Sequence, residues 1–556
     1  MKTKQCRTGL AWLLILFTAL WFALLGYRHL VRPDEGRYAE IPREMLATHN
    51  WVTPRLDGYK YFEKPALQYW ATAVAYEIFG QNEASARLWS ALTGFIGILL
   101  LFFTGKKLYS FRTGLFSATI LGSSLLYSAI GHINTLDMGV NFFLSLALCT
   151  FTLGQDLRSR EIKDPGYMLL CWAAMAAAVL SKGLIGIVLP GAVLIIYMIL
   201  ERDFQLIKRL DFWRGLALFT LIATPWFIIV CLRNPEFFHF FFIYEHFDRY
   251  LTKDLHRYQP WYYFIPILIA GSLPWTGAMW SGLKSAWGSD NGLFKPSRVF
   301  FIWSIFIYVF FSLSDSKLPS YILPVYPALA LLAGNALDKM TSKQFLHQLI
   351  PTALLGIVLL AISPFVPHFT HNPWLKPMYE AYTPWIVAAS TFFLGGIVVA
   401  ILLLRKERKT IAVLVIGFSC LLSAQLALWG YDALTPHASA WRAANAIKPW
   451  IKPGTPIYSV GTYPQTLPFY INHTVILVAF SDELKMGESI EPQKWIPKLS
   501  TFITKFQPGT NALAYMKPEM YTQLKTLGLK MKVLYQDPDR VIVSTPDTNQ
   551  TMENKT

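Results

Sequence analysis

Four short stretches of this chain set ionisable residues among aromatics beside long apolar runs. In Pro33-Asp34-Glu35-Gly36-Arg37-Tyr38, just past the first apolar run, Asp34 opens a helical pattern. A carboxylate there can orient or deprotonate an acceptor. Capping the helix is its plainer duty, with Glu35 complementing the helix macrodipole, and the two duties are compatible. Tyr61-Phe62-Glu63-Lys64-Pro65 holds an adjacent acid and base, either a solvated pair or part of a polar site. Residues 237–250 interleave aromatics with His239, Glu245, His246, Asp248 and Arg249, and a guanidinium suits bidentate contact with phosphate. The stretch from Ser314 to Tyr321 adds Lys317 and a phenol. Asp137 and Lys182 stand at the ends of apolar runs, where an ionisable group is costly and points to function, the plainer alternative for the lysine being snorkelling. Cations and a tyrosine on one side of a membrane suggest a phosphate held at the lipid surface.

Competing chemistries find little support. The chain has no P-loop, no G-x-G-x-x-G after a strand and no His-Glu-x-x-His. Ser314 and Lys317 have the spacing of a serine-lysine dyad, a pattern too common to carry weight, and Asp537-Pro538-Asp539 reads as a turn. Glu63 with His246 is a weak candidate pair for a divalent cation, which the site does not require. The five cysteines stand singly, four of them in apolar runs, and read as small core residues.

The elements that must position these residues follow from composition. Of 556 residues, 54% are hydrophobic and only 15% charged, well short of the roughly 25% charged residues of soluble domains. The bilayer is therefore the expected solvent. The net charge of +16 comes without a basic helix face or RNA-binding motif, which points to anionic lipid and away from nucleic acid. The run from Gly9 to Tyr27 follows Lys2, Lys4 and Arg7 and ends at Arg28-His29 without a cleavage site, so it reads as an uncleaved first span. A window of about 19 residues gives about thirteen candidate helices, starting near residues 9, 84, 112, 134, 166, 183, 212, 261, 298, 321, 346, 384 and 410. Lys and Arg concentrate in the short connections that follow even-numbered spans. With the N-terminus, these form the cytoplasmic side, and an odd span count places the C-terminus outside.

Two outer loops, 28–83 and 234–260, are too long for simple connectors. The first carries amphipathic stretches at 35–48 and 66–79, too short to span and expected as interfacial helices on the outer leaflet. After Trp429 the chain turns polar, with short β-branched or aromatic runs between Pro, Gly and Asn. The expected organisation is a transmembrane domain over 1–429, a small outer α/β domain over 430–545 and a polar tail over 546–556.

An active site on the outer face of a cytoplasmic membrane has no nucleotide sugar at hand, so group transfer there calls for a lipid-carried donor. A polyprenyl phosphate sugar fits, its phosphate among Lys64, Arg249 and Tyr321, where cations stabilise the leaving phosphate. The series Arg-Pro-Asp-Glu-Gly-Arg-Tyr-Ala-Glu-Ile (32–41), Tyr-Phe-Glu-Lys-Pro (61–65), Tyr-Glu-His-Phe-Asp-Arg (244–249) and Lys-Leu-Pro-Ser-Tyr-Ile-Leu-Pro (317–324) resembles the bacterial aminoarabinose transferases of lipid A. These belong to the GT-C glycosyltransferases, alongside the protein O-mannosyltransferases. The resemblance implies a polytopic α-helical membrane protein of GT-C type in the bacterial inner membrane, with a periplasmic C-terminal domain. It also implies inverting transfer of 4-amino-4-deoxy-L-arabinose from undecaprenyl phosphate to a lipid A phosphate, which lowers surface negative charge and gives polymyxin resistance. By the same resemblance Asp34 is the catalytic carboxylate and Lys64, Arg249 and Tyr321 hold the donor phosphate. Arg37, Tyr61, Glu63, Asp137 and Lys182 line the cavity, and Lys317 adds a cation to the same substrate region. A phosphate acceptor is already ionised, so Asp34 orients it or binds the sugar's amine. Two alternatives stay open: a related transferase with another lipid, glycan or protein acceptor, and a lipid-linked sugar flippase, which would place charges at mid-span.

Overall fold

Apolar runs interrupted by Pro, Gly and charge determine where the helices stop. The computed structural model describes residues 14–164, 166–248, 259–288 and 292–546, with only the backbone for 246–248. Among the described residues seven helices are long and apolar enough to cross a bilayer: Glu83–Leu108, Leu136–Ser159, Phe212–Arg233, Pro296–Leu313, Ser342–Phe369, Lys376–Arg405 and Lys409–Ala438. Phe111–Ser123 and Leu125–Gly131, bent by 66°, are together apolar and long enough for an eighth if they form one broken span. Tyr167–Lys182, Ile185–Glu201 and Trp261–Gly271 are apolar but shorter. The run expected as one span from residue 261 is broken, with Pro274 between the helices Phe264–Gly271 and Thr276–Ser285. Residues 14–22 of the first apolar run are helical. They are locked into the bundle by Trp21, whose indole N–H donates to the Ala91 carbonyl at 2.8 Å. That close approach requires Gly94 and Gly131, where a Cβ would meet the Trp21 ring at 2.9 and 2.8 Å.

The long first loop folds into a helix Asp34–Thr48, a two-stranded hairpin (β1 Arg55–Leu56, β2 Tyr59–Lys60) and a helix Leu67–Phe79. Both helices expected there are present, but their surroundings differ. On Leu67–Phe79 the side chains of Val74, Ile78 and Phe79 are exposed, an apolar face suited to lipid. On Asp34–Thr48 every residue from Glu35 to Pro42 is buried, so protein covers this helix on all sides. The expectation that it rests on the outer leaflet is corrected. Its charged residues are too many for lipid contact; they pair with the membrane helices, the first loop and the C-terminal domain, while its apolar residues share a core with the sheet.

That sheet has five strands: β3 Ile457–Val460, β4 Ile476–Val478, β5 Leu513–Met516, β6 Lys532–Asp537 and β7 Arg540–Ser544. The order is β4-β3-β5-β7-β6, with β4, β3 and β5 parallel and β7 antiparallel to both of its neighbours. Strand alternation sends residues to two separate cores. Tyr458, Val460, Ala514, Met516, Val541 and Val543 pack on Phe502, Phe506 and Leu524. Ile457, Leu477, Leu513, Tyr515 and Ile542 share a core with Tyr38, Ala39, Ile41 and Met45 of the loop helix and with Leu180 and Trp226 of the membrane helices. One sheet face therefore forms the roof of the first loop. The Asp537-Pro538-Asp539 segment is a turn, with Asp537 Oδ1 accepting from the Asp539 and Arg540 amides at 2.8 and 2.9 Å.

Candidate active site

Glu35 anchors the loop that carries Asp34. Its carboxylate accepts hydrogen bonds from Arg28 at 3.0 and 3.1 Å, from Arg87 at 2.7 and 3.0 Å, and from the amides of Val31 and Asn134 at 3.1 Å each. Burial alone would raise its pKa, but the two guanidinium groups outweigh burial and hold it down at about 2. Glu35 thus stays ionised and ties the start of the helix Asp34–Thr48 to the helix Glu83–Leu108 and to the loop before Leu136.

Beside this anchor opens a cavity of about 500 Å³ whose wall includes Asp34, Arg37, Glu63, Lys64, Asp137, Lys182, Glu245 and Tyr321. Sequence-distant residues meet here because helix ends converge. Asp137 stands in the first turn of Leu136–Ser159, Lys182 ends Tyr167–Lys182, and Tyr321 lies in the turn Pro319–Ile322. Lys182 pairs with Asp137, and its ammonium lies 4.5 Å from the centre of the Tyr321 ring, within cation–π range. Lys64 Nζ donates to the Glu63 carbonyl at 2.7 Å and to Glu245 Oε2 at 3.2 Å. The Arg37 guanidinium pairs with Glu483 of the C-terminal domain and lies 3.6 Å from Asp34 Oδ1. The cavity also has an apolar side, lined by Leu184, Ile185, Val188, Phe310 and Phe311, so one opening offers both charged and lipid-compatible walls.

Seven of the sequence-selected residues therefore face one space: Asp34, Arg37, Glu63, Lys64, Asp137, Lys182 and Tyr321. Two others do not. Tyr61 is buried behind the wall, its ring 6.0 Å from the Arg37 guanidinium carbon, and it supports the site without lining it. Lys317 is buried in the turn after Leu313, where its ammonium donates to the Gln259 carbonyl at 2.7 Å and to the Ser314 carbonyl. The turn folds the lysine back on the Ser314 carbonyl and against Gln259, so it pins two segments together and does not line the cavity. Arg249 and the His246 side chain lie outside the described residues. Among the described residues no group of three or more His, Cys, Asp or Glu could hold a metal ion.

Residues 443–545 match the aminoarabinose transferase C-terminal domain, and residues 63–229 match the dolichyl-phosphate-mannose-protein mannosyltransferase family. The crystal structure of ArnT from Cupriavidus metallidurans bound to undecaprenyl phosphate superposes with a TM-score of 0.91 at 39% identity, covering 96% of this chain and 98% of that one. The undecaprenyl phosphate-alpha-4-amino-4-deoxy-L-arabinose arabinosyl transferase of Enterobacter sp. is 31% identical over 71% of this chain and 72% of its own length. The chain belongs to the aminoarabinose transferase family. The relative of the same description from Erwinia tasmaniensis is 36% identical, and its alignment spans 59% of either chain. The archaeal oligosaccharyltransferase AglB of Archaeoglobus fulgidus, 14% identical with a TM-score of 0.52, shares the fold alone.

In this aminoarabinose transferase three site features escaped the sequence. The sequence suggests only a macrodipole role for Glu35, although an acid beside Asp34 with Arg28 and Arg87 near span ends is a detectable signal. Glu245 stands out in the sequence as a loop charge, with no sign that Lys64 is its partner. Glu483 left no signal at all, since its partner Arg37 lies 446 residues away.

Proposed function

We propose that this membrane transferase moves 4-amino-4-deoxy-L-arabinose from undecaprenyl phosphate to a phosphate of lipid A, on the outer face of a bacterial cytoplasmic membrane. The observation that carries the reading is the mixed charge of the cavity. The described wall holds Arg37, Lys64 and Lys182 against Asp34, Glu63, Asp137 and Glu245. A purely cationic pocket would suit a phosphate alone, whereas this one suits a donor carrying both a phosphate and an amine. The likeness of the chain to a protein crystallised with undecaprenyl phosphate supports a polyprenyl donor.

In this reading Lys64 and the Tyr321 hydroxyl, with Arg249, hold the donor phosphate, and the chain of the lipid leaves past Phe310 and Phe311. A lipid A phosphate oxygen attacks the anomeric carbon from the face opposite the donor phosphate, inverting it. The bond from that carbon to the donor oxygen breaks, and its electron pair leaves with undecaprenyl phosphate. Cations fixed beforehand at the developing charge lower the barrier without reorganisation. The acceptor oxygen is already anionic, so no proton need be removed, and Asp34 orients the acceptor or holds the sugar's ammonium. The N-terminus then lies in the cytoplasm and the C-terminal domain outside. Replacing lipid A negative charge with an amine weakens the attraction of cationic peptides, so polymyxin resistance follows.

The test is mass spectrometry of lipid A from a polymyxin-sensitive strain that makes the donor but lacks its own transferase. Expression of the native chain should add one aminopentose, and equal expression of Asp34→Asn or Lys64→Ala should not. Unmodified lipid A from well-expressed native protein would remove this acceptor and move the search to other lipids or glycans.

A further inference from the structure

Arg37 reaches the cavity wall from the first turns of the helix Asp34–Thr48, and its charge is met from two directions. On one side Asp34 Oδ1 lies 3.6 Å away; on the other, Arg37 Nη2 donates to Glu483 Oε2 of the C-terminal domain. Both Arg37 and Glu483 have largely buried side chains, so the pair is shielded from water and strongly oriented. Glu483 is itself fixed, because Gln465 Nε2 donates to its other carboxylate oxygen at 2.8 Å. The backbone of that same Gln465 sits on the helix at Gly36, where a Cβ would lie 2.6 Å from the Gln465 carbonyl carbon and oxygen. The loop holding Gln465 and the start of the Asp34 helix are thus in direct backbone contact. The apolar core shared by the sheet and the helix continues that seat.

We propose that Glu483, together with Gln465, is a positioning residue supplied to the active site by the C-terminal domain. It holds the Arg37 guanidinium in the cavity wall beside Asp34, so the site is complete only when that domain is seated on the helix. Without Glu483 the buried guanidinium is left to the carboxylates of the cavity wall, Asp34 at 3.6 Å and Glu63 beyond it, and a carboxylate meant for substrate is drawn onto Arg37. The C-terminal domain then acts on turnover through a charge pair and not only through stability. This inference rests on the transfer reading above and adds the source of Arg37's orientation.

The experiment measures steady-state transfer by the purified full-length protein in detergent, with undecaprenyl-phosphate-linked aminoarabinose and lipid A as substrates and rates taken per folded molecule. Native protein that is folded yet gives no transfer would sink the transfer reading itself, whatever the variants do. Given native turnover, Glu483→Gln should lower kcat by roughly 10- to 100-fold, the range a misplaced site group produces, with the donor KM changed by less than about threefold. Arg37→Ala should show a comparable loss, and the double variant should be no slower than the worse single one. A purely structural Glu483 would reduce the amount of folded protein and leave kcat of the folded fraction alone, which would overturn the proposal. So would losses that multiply in the double variant, since residues acting through one contact do not add independently. If Glu483→Gln fails to fold, Gln465→Met loosens Glu483 while keeping the charge pair. It should lower kcat several-fold in the native background and not at all in Arg37→Ala, and an equal effect in both backgrounds would overturn the proposal.

Discussion

Glu35 and Arg87 join the loop that carries Asp34 to the membrane helices: Arg87 Nε and Nη2 donate to the two Glu35 oxygens at 2.7 and 3.0 Å, across 52 residues of sequence. Both are 1% exposed, and Arg28 completes the group on the same carboxylate. Removing one member leaves buried charge without compensation. Glu35→Ala should therefore cost about 3–5 kcal/mol of stability. The check is the unfolding temperature and the yield of monodisperse protein in detergent, and a variant as stable as the native protein would show that the anchor is dispensable. The depressed pKa of Glu35 adds a pH effect. Its contribution is full above the unfolded carboxylate value of 4.5, shrinks as pH falls below that value and is gone once pH has passed about 2, so stability should decline in mild acid while the folded carboxylate is still ionised.

In the proposed reaction Tyr321 combines two functions that substitution can separate. Its ring faces the Lys182 ammonium at 4.5 Å, while its hydroxyl is assigned to the donor phosphate. Tyr321→Phe keeps the ring and should chiefly raise the donor KM. Tyr321→Ala also removes support from Lys182, worth about 1–2 kcal/mol, and should lose roughly a further tenfold in kcat/KM. Equal losses in the two variants would mean that the ring contact contributes nothing.

A buried carboxylate group makes the seam beneath the sheet sensitive to pH. Glu40, Glu44 and Asp57 are buried there with Arg43, which donates to Glu40 through Nε at 2.7 Å. Glu44 accepts from the Gly58 amide at 2.9 Å, and Asp57 accepts from the Val475 amide of the C-terminal domain at 2.6 Å. Burial, with the neighbouring Glu40 charge second, pushes Glu44 up to about 8. The same burial raises Asp57 and Glu40. Between the ordinary carboxylate value of 4.5 and about 8, folded Glu44 keeps a proton that the unfolded chain has lost, so stability falls as pH rises through that window. Unfolding temperature should be lower at pH about 9 than at pH about 6, and Glu44→Gln should remove much of that difference. A variant with the native pH dependence would place the titration elsewhere.

Gly36→Ala tests the seat of the C-terminal domain without touching charge. Its methyl group would collide with Gln465 backbone, which cannot swing aside as a flexible side-chain end could. Overpacking of this kind costs about 1–3 kcal/mol. If the seat orients Arg37, kcat should fall along with stability. Full turnover in a destabilised Gly36→Ala protein would separate the seat from the chemistry.

The leaving phosphate is met by side-chain cations in the proposed reaction, so turnover should survive chelation of divalent ions. The measurement is transfer by protein purified with and without EDTA. A loss restored by one divalent metal would instead bring Glu63, with His246, forward as ligands.

The charged residues that line the cavity were legible in the chain because each announces itself locally. Asp34, Lys64, Asp137 and Lys182 are charges at the edges of apolar runs, and hydropathy with the cost of charge in lipid singles them out. The α/β character of the end of the chain was legible in the same way, from short β-branched runs between turn residues. Tertiary structure alone decided which neighbours those charges keep. Lys317 looked like another cavity cation until its turn folded it onto the Gln259 and Ser314 carbonyls. The helix Asp34–Thr48 looked interfacial, because its pattern cannot say whether lipid or a distant sheet covers it. Glu483 could not be foreseen from sequence, since an ion pair depends on where two chain segments meet in space, and nothing in either segment records the other.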